Sequence, residues 1–199
     1  MRSLTISDPA FLNPTIFRDT FERADASTWS SPWTESGSFA IASNEGKITS
    51  DSGGSVSIVA ATVDVGIVAK VMLWVFSTAA RGPTYCIIRY TDTNNMLFFS
   101  GSNSAGSDVY LISRASGTAT VIASASVGPA WGNNSLIRVE DTGSNVNIVI
   151  DGVQRLSHAT TLHNTATRCG IGGNAQSSGS GSAPRLQTMR ADDFKILRF

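Results

Sequence analysis

SLIRVEDTGSNVNIVIDGVQRL, residues 135–156, decides the fold class of this chain. Two strand-like runs, Ser135–Glu140 and Asn145–Ile150, flank the turn-forming tetrapeptide Asp141-Thr142-Gly143-Ser144. Asp151-Gly152 then predicts a second tight turn, because Asp-Gly suits the backbone of a two-residue hairpin loop. The stretch is therefore predicted to be an antiparallel meander of strands joined by hairpins.

The same pattern of short runs and polar turns continues on both sides of this meander. Strands are predicted at residues 15–21, 38–42, 56–59, 63–76, 84–90, 96–99, 108–114, 118–123 and 186–197. Residues 63–76 could also be helical, but their β-branched content and the missing helix cap favour a strand interrupted by Gly66. Strands that recur every 8–12 residues indicate a sandwich or barrel. Nothing resembles an alternation of strands and helices, so the fold class is all-β and antiparallel.

Composition and charge exclude several classes of function. The 199 residues carry 15 basic and 15 acidic side chains, so the formal net charge is zero. The chain therefore lacks the basic patch of a nucleic-acid binder. It also lacks a polybasic segment and the roughly 20 apolar residues of a membrane span. Met1–Pro9 has no apolar core of a signal peptide, which predicts synthesis in a cytoplasm without secretion.

The chain is predicted to have two parts, an extended arm at residues 1–14 and one β-sandwich domain at residues 15–199. Asp8-Pro9 and Asn13-Pro14 break regular structure in the arm. Phe11 and Leu12 give the arm apolar side chains to bury. The arm could strap its own domain or dock on a neighbouring subunit, and the sequence leaves both alternatives open.

Several segments, taken in order, resemble the concanavalin A-like lectin/glucanase (laminin G-like) jelly-roll superfamily. They are Phe17–Phe21 followed by Trp29 and Trp33, Ile88–Asp92 before Asn95–Phe99, Val146–Ile150 with Asp151-Gly152, Arg168–Gly172, and Asp192-Asp193-Phe194 followed by Ile196. The opening Asp19–Asp25 is also similar to bacteriophage structural proteins that carry such domains. The resemblance covers residues 16–199 and implies two curved antiparallel sheets packed face to face, with the first and last strands as neighbours.

Catalysis is not predicted. Glucanases of this superfamily carry a Glu-x-Asp-x-(x)-Glu run, and this sequence has none. The acid pairs Glu140-Asp141 and Asp192-Asp193 are adjacent along strands, so their side chains are expected on opposite faces. His158 and His163 fall in a polar stretch, and no Gly-x-Ser-x-Gly elbow accompanies them. The chain is therefore predicted not to be an enzyme.

A structural calcium ion is the one cofactor that the resemblance implies. Calcium prefers carboxylate and carbonyl oxygens, and Asp19, Asp192 and Asp193 are the acids chosen for it because the first and last strands should meet. The alternative is that these aspartates cap turns or face solvent. Cys86 and Cys169 are interpreted as small buried apolar residues, and the sequence does not determine whether they form a disulfide.

Sugar binding would use exposed aromatic rings. Trp29, Trp33, Tyr110 and Trp131 are the candidates for stacking on a sugar, with packing in the core or at its rim as the alternative.

The leading functional hypothesis is a non-enzymatic bacteriophage virion protein, either a capsid-decoration or a tail-associated subunit. It would be made in the host cytoplasm, be localised in the virion and contact other virion proteins and copies of itself through Phe11 and Leu12. The alternative is a carbohydrate-binding or receptor-binding module for a cell-surface glycan. Neither hypothesis involves nucleic acid or membrane insertion.

Overall fold

The chain forms strands and tight turns because its apolar residues alternate over short runs that end at Gly, Asn or Asp. The computed structural model describes residues 14–37, 39–41, 44, 46–48, 57–77, 84–101, 108–126, 135–175 and 190–198. Phe11, Leu12, Trp131 and residues 176–189 lie outside the described residues. No helix of the described part is long and apolar enough to cross a membrane.

Eight antiparallel strands build one sheet. They are β1 (Thr15–Asp19), β3 (Phe39–Ile41), β4 (Gly46–Ile48), β6 (Lys70–Ser77), β11 (Ser135–Asp141), β12 (Asn145–Ile150), β13 (Val153–Ala159) and β15 (Arg190–Arg198). Their order is β13-β12-β11-β6-β15-β4-β3, and β1 pairs with β15.

Seven antiparallel strands build the second sheet. They are β2 (Thr34–Ser36), β5 (Ser57–Asp64), β7 (Thr84–Asp92), β8 (Asn95–Gly101), β9 (Asp108–Ala115), β10 (Thr118–Ser126) and β14 (Arg168–Ala175). Their order is β10-β9-β8-β7-β14-β5-β2.

The core lies between the two sheets. Alternate residues of β11 and β12, among them Ile137 and Ile148, are buried in it, and Phe99 and Ile171 enter from the seven-stranded sheet. Burial of apolar side chains from two sheets is what drives a sandwich to form. The prediction of an all-β, antiparallel, two-sheet jelly roll is confirmed.

The predicted hairpins are present. The Asp151-Gly152 turn joins β12 to β13, and both residues have positive φ angles, 51° and 80°. Two consecutive left-handed residues are the requirement of a type I′ turn, which fits the twist of the strands that it joins.

Residues 63–76 do not form the single interrupted strand that the sequence predicts. β5 ends at Asp64 and β6 begins at Lys70. The Gly66 amide donates to Oδ1 of Asp64 at 3.0 Å, and Gly66 has a φ of 73°. This side-chain turn and left-handed glycine redirect the chain, so the two halves enter different sheets.

The first and last strands are neighbours, as the resemblance implies. β1 pairs with β15 from Thr15 opposite Leu197 to Asp19 opposite Phe194. The Arg198 amide also donates to the Pro14 carbonyl at 3.2 Å, so the chain enters the sandwich beside the point where β15 ends.

A buried charge cluster links the two sheets. Arg89 of β7 donates to both carboxylate oxygens of Asp141 at 2.7 and 3.1 Å, and Lys70 donates to Oδ2 of Asp141 at 3.0 Å. Lys70, Arg89 and Asp141 are all buried, with exposed fractions of 3%, 2% and 2%. Nη1 of Arg89 also donates to the carbonyls of Leu162 and Thr160, which fixes the loop between β13 and β14.

Replacement of Asp141 by Asn should destabilise the fold by about 3–5 kcal/mol, because two buried cations would lose the carboxylate that both of them contact. Urea unfolding at neutral pH measures the change. Glu22→Gln, at an exposed position, is the matched control and should leave stability unchanged. A D141N protein as stable as the control would contradict the role given to the cluster.

The Asp141 carboxylate should also make the stability of the fold sensitive to acid. Burial alone would raise the pKa of Asp141, but the bonds from Arg89 and the Gly143 amide and the charge of Lys70 outweigh it and hold this pKa below its usual value. The stabilisation of the fold by ionised Asp141 is complete above the unfolded-state pKa of about 4. It is lost as the pH falls through the lower folded-state pKa.

Candidate ligand-binding face

The seven-stranded sheet has an outer face that points away from the core between the two sheets. Cys86, Leu97 and Leu111 point into the core, so the alternating positions point outward. Pairing of β7, β8, β9 and β14 brings these outward positions into rows, with Tyr90 opposite both Met96 and Arg168. This surface is called the outer face below.

The centre of the outer face is an apolar floor. A second buried cluster lies there, separate from the core, and it contains Ala60, Tyr85, Ile87, Tyr90, Met96 and Phe98. The rings of Tyr85 and Phe98 meet edge to face, with centroids 4.9 Å apart. Burial raises the pKa of Tyr85 to about 12, and the charge of Arg114 opposes part of this rise. The middle strands of this sheet are therefore buried on both sides.

Tyr110 is the predicted aromatic residue that the structure leaves partly exposed. It lies on β9 within the outer face, opposite Ser100 of β8 and Ser124 of β10. Its hydroxyl donates to Oδ2 of Asp108 at 3.0 Å, and this bond raises the pKa of Tyr110. A half-buried ring, a carboxylate and two hydroxyl side chains thus lie side by side at one margin of the floor.

Trp29 and Trp33 are not exposed, which corrects the expectation that their rings are available to a sugar. They are 1% and 6% exposed and pack edge to face with centroids 5.1 Å apart. Their indole nitrogens donate inside the protein, from Trp29 to the Ala40 carbonyl at 2.8 Å and from Trp33 to Asp19 at 2.6 Å. Both residues therefore act as core residues, which was the stated alternative. Trp131 lies outside the described residues, and its role stays a prediction.

The Asp19 carboxylate is engaged inside the protein, which favours the alternative that it caps a turn; calcium binding by it stays a prediction. Its carboxylate accepts hydrogen bonds from the Phe21 amide at 2.8 Å, from the Trp33 indole and from two nitrogens of Arg23 at 2.7 and 3.1 Å. Burial would raise the pKa of Asp19, but these bonds lower it further than burial raises it. Asp19 instead joins the segment after β1 to the core.

Asp192 and Asp193 lie in β15, but their side chains are outside the description, so calcium binding by them stays a prediction. Within the described residues no group of three His, Cys, Asp or Glu side chains could hold a metal ion.

Replacement of Asp19 by Asn should lower the free energy of unfolding by about 1–3 kcal/mol, because the Arg23 guanidinium and the buried indole lose a charged acceptor. Thermal melting in EDTA and in calcium should give the same loss. A loss that appears only when calcium is present would restore Asp19 as a metal ligand and contradict this interpretation.

A serine–histidine contact is the nearest approach to a nucleophilic pair in the described residues. Oγ of Ser113 lies 3.2 Å from Nε2 of His163. Ser113 is buried, however, and the nearby Asp92 carboxylate already accepts bonds from the Asn94 amide and the Asn95 side chain. This pair serves to hold the loop of His163 against β9.

The adjacent acids Glu140 and Asp141 point to opposite sides of the eight-stranded sheet. Glu140 bonds to Arg138 and Asn147 on the outside of the eight-stranded sheet, whereas Asp141 points inward. The two thiols also lie in the core. Cys86 and Cys169 are both free and buried, and burial raises both thiol pKa values, that of Cys169 to about 12.

Sequence reasoning missed two groups of residues that organise the structure. Arg89 and Lys70 are each a single charge inside an apolar run, and an isolated charge in a predicted core strand signals a buried partner. Arg168 and Arg114 flank the floor of the outer face. No local pattern marks these two, because only strand pairing brings them to one surface.

Solved structures with the same fold include carbohydrate-binding proteins. The carbohydrate recognition domain of Emp47p has a TM-score of 0.62 with 11% identity over 94% of this chain and 96% of its own. The CBM2 module of the evolved Dit from Lactobacillus casei BL23 phage J-1 has a TM-score of 0.55 with 10% identity over 92% and 94%.

Enzymes of glycan breakdown share the fold as well. A chain from work on endo-acting O-glycanases of the human gut microbiota has a TM-score of 0.62 with 10% identity over 94% of this chain and 100% of its own. No protein-family model matches the chain, and no curated protein is similar to it in sequence. At these identities the likeness establishes the lectin-like jelly-roll fold and leaves the function to the site.

Proposed function

We propose that this chain is a non-enzymatic glycan-recognition module whose ligand lies on the outer face of the seven-stranded sheet. The observation that carries the proposal is the pairing of the half-buried Tyr110 ring with the Asp108 carboxylate on this face. The fold shared with a carbohydrate recognition domain and a CBM2 module supports the same conclusion.

The chemistry of the pair suits a sugar. A tyrosine ring offers an apolar face and a polar tip, so the carbon-bound hydrogens of a pyranose can pack on it. The Asp108 carboxylate has one oxygen engaged by Tyr110 and one that can accept a sugar hydroxyl. Ser124 of the neighbouring strand β10 is exposed and adds a further hydroxyl group beside the ring.

Replacement of Tyr110 by Ala should weaken glycan binding at least about tenfold, since a ring contact and the orientation of Asp108 are lost together. A glycan array with the purified chain, followed by calorimetry on the best ligand in calcium and in EDTA, measures the change. Loss of wild-type binding in EDTA would support calcium binding by Asp192 and Asp193.

Val153→Ala is the matched control for this experiment. Val153 is about half exposed but lies on β13 of the other sheet, so its truncation should not change affinity. Binding that survives Y110A unchanged would place the glycan elsewhere.

A role in a bacteriophage virion is the second candidate, and it is compatible with the first. The specific observation that favours it is the likeness to the CBM2 module of the phage J-1 Dit. In this proposal the sandwich is a capsid or tail subunit, made in the host cytoplasm, that contacts other virion proteins and copies of itself and presents its outer face to a cell-surface glycan.

A chain that lacks residues 1–14 should keep its fold but lose assembly, because Phe11 and Leu12 would no longer be present to contact a neighbour. Light scattering of the two proteins measures the oligomer, and circular dichroism checks the fold. Truncated protein that assembles like the full chain would contradict the arm as an assembly element.

A further inference from the structure

We infer that the outer face selects acidic glycans, with Arg168 and Arg114 receiving the carboxylate or phosphate groups of the ligand. This inference rests on the proposed glycan-binding function and adds the chemical class of the ligand.

Arg168 has donors that the described protein does not use. Its guanidinium lies over the Tyr90 ring, 5.5 Å from the centroid, and its Nη2 atom is buried without a hydrogen-bond partner. Asp64 is its neighbour across the strand pair, but no ion pair joins them, and Oδ1 of Asp64 accepts from the Gly66 amide. A buried guanidinium nitrogen without an acceptor is costly. A small rotation of the Arg168 side chain that opens this nitrogen would therefore be favoured by an acidic oxygen of the ligand.

Arg114 borders the other side of the apolar floor. Its Nε donates to the Gly117 carbonyl at 3.0 Å, which fixes the start of the guanidinium and leaves the terminal nitrogens without a partner among the described residues. Its charge acts on the hydroxyl of Tyr85, in the middle of the floor. Arg114 is therefore half-buried at the margin of the outer face rather than fully extended into solvent.

The two arginines lie on the same row of the sheet. Arg114 is opposite Met96, Met96 is opposite Tyr90, and Tyr90 is opposite Arg168. Three strand spacings of about 4.8 Å place their Cα atoms roughly 14 Å apart, at two margins of the buried floor. One acidic substituent between them, or two along a glycan, could engage both.

The acids of this face do not cancel these charges by direct pairing. Asp92 is engaged by Asn94 and Asn95, and Asp108 accepts from Tyr110. The planar fork of an arginine matches the oxygens of a carboxylate or a phosphate in a bidentate contact. Neutral sugars offer no such group, which is why the face is assigned to acidic ones.

The test compares three polymers of similar length with the full-length chain: polygalacturonate, which carries carboxylates, a poly(glycerol phosphate), which carries phosphates, and neutral dextran. Calorimetry at fixed ionic strength gives each affinity for the wild type, R168Q and R114Q, and thermal melting confirms that each variant is folded. Arg155→Gln is the matched control, since Arg155 is another half-buried arginine but lies on β13 of the opposite sheet.

We expect at least one acidic polymer to bind more tightly than dextran, and R168Q and R114Q each to weaken that binding about tenfold or more, as loss of a charge-assisted contact should. R168K should retain part of the affinity, because it keeps the charge without the fork. R155Q should bind like the wild type, and the better of the two acidic polymers identifies the source of the anion.

Three results would overturn the inference. In the first, the wild type prefers the neutral polymer, and in the second, R168Q and R114Q bind the acidic polymers like the wild type. In the third, R155Q loses as much affinity as R168Q, which indicates unspecific charge attraction. Binding of neutral glycans that depends on Tyr110 would leave the proposed function intact in each case, whereas binding of no glycan at all would overturn both.

Discussion

The contact of Arg89 with Asp141, supported by Lys70, is the constraint on which the rest of the sandwich depends. Arg89 belongs to the seven-stranded sheet, whereas Asp141 and Lys70 belong to the eight-stranded one. A buried carboxylate between two cations is stable only when its hydrogen bonds are made, so a shift of one sheet against the other would leave a buried charge without its partner. Apolar packing alone would tolerate small shifts that this cluster does not.

The cluster also orders the loops at one end of the sandwich. Arg89 binds two carbonyls of the loop that precedes β14, and β14 carries Arg168 onto the outer face. Asp141 accepts from the Gly143 amide at 2.9 Å and so fixes the turn into β12. The start of β14, and with it the position of Arg168 on the outer face, is therefore set by an interaction inside the protein.

The two faces of the seven-stranded sheet have different physical roles. The inner face completes the core, and the outer face combines an apolar floor with tyrosine hydroxyls, a carboxylate and two guanidinium groups. Lectin-like domains, phage modules and glycan-degrading enzymes share this fold, so the fold cannot choose among functions. The choice rests on side chains of one surface, and these side chains are the basis of the proposed recognition of a glycan.

The sequence by itself determined the fold class, because alternation and turn residues act over a few positions: the meander at residues 135–156 and the Asp151-Gly152 turn are both found. Tertiary structure decided what each aromatic and charged residue does. Trp29 and Trp33 could stack on a sugar if they were exposed, but both are buried. Trp29 packs against Phe21, and Trp33 packs against Phe194 of the distant strand β15. Asp19 is of a residue type that often binds metal ions, but its oxygens accept hydrogen bonds from Arg23, Trp33 and a backbone amide. Arg168 meets Tyr90 only through the pairing of β14 with β7, and long-range pairing of this kind leaves no trace in local sequence.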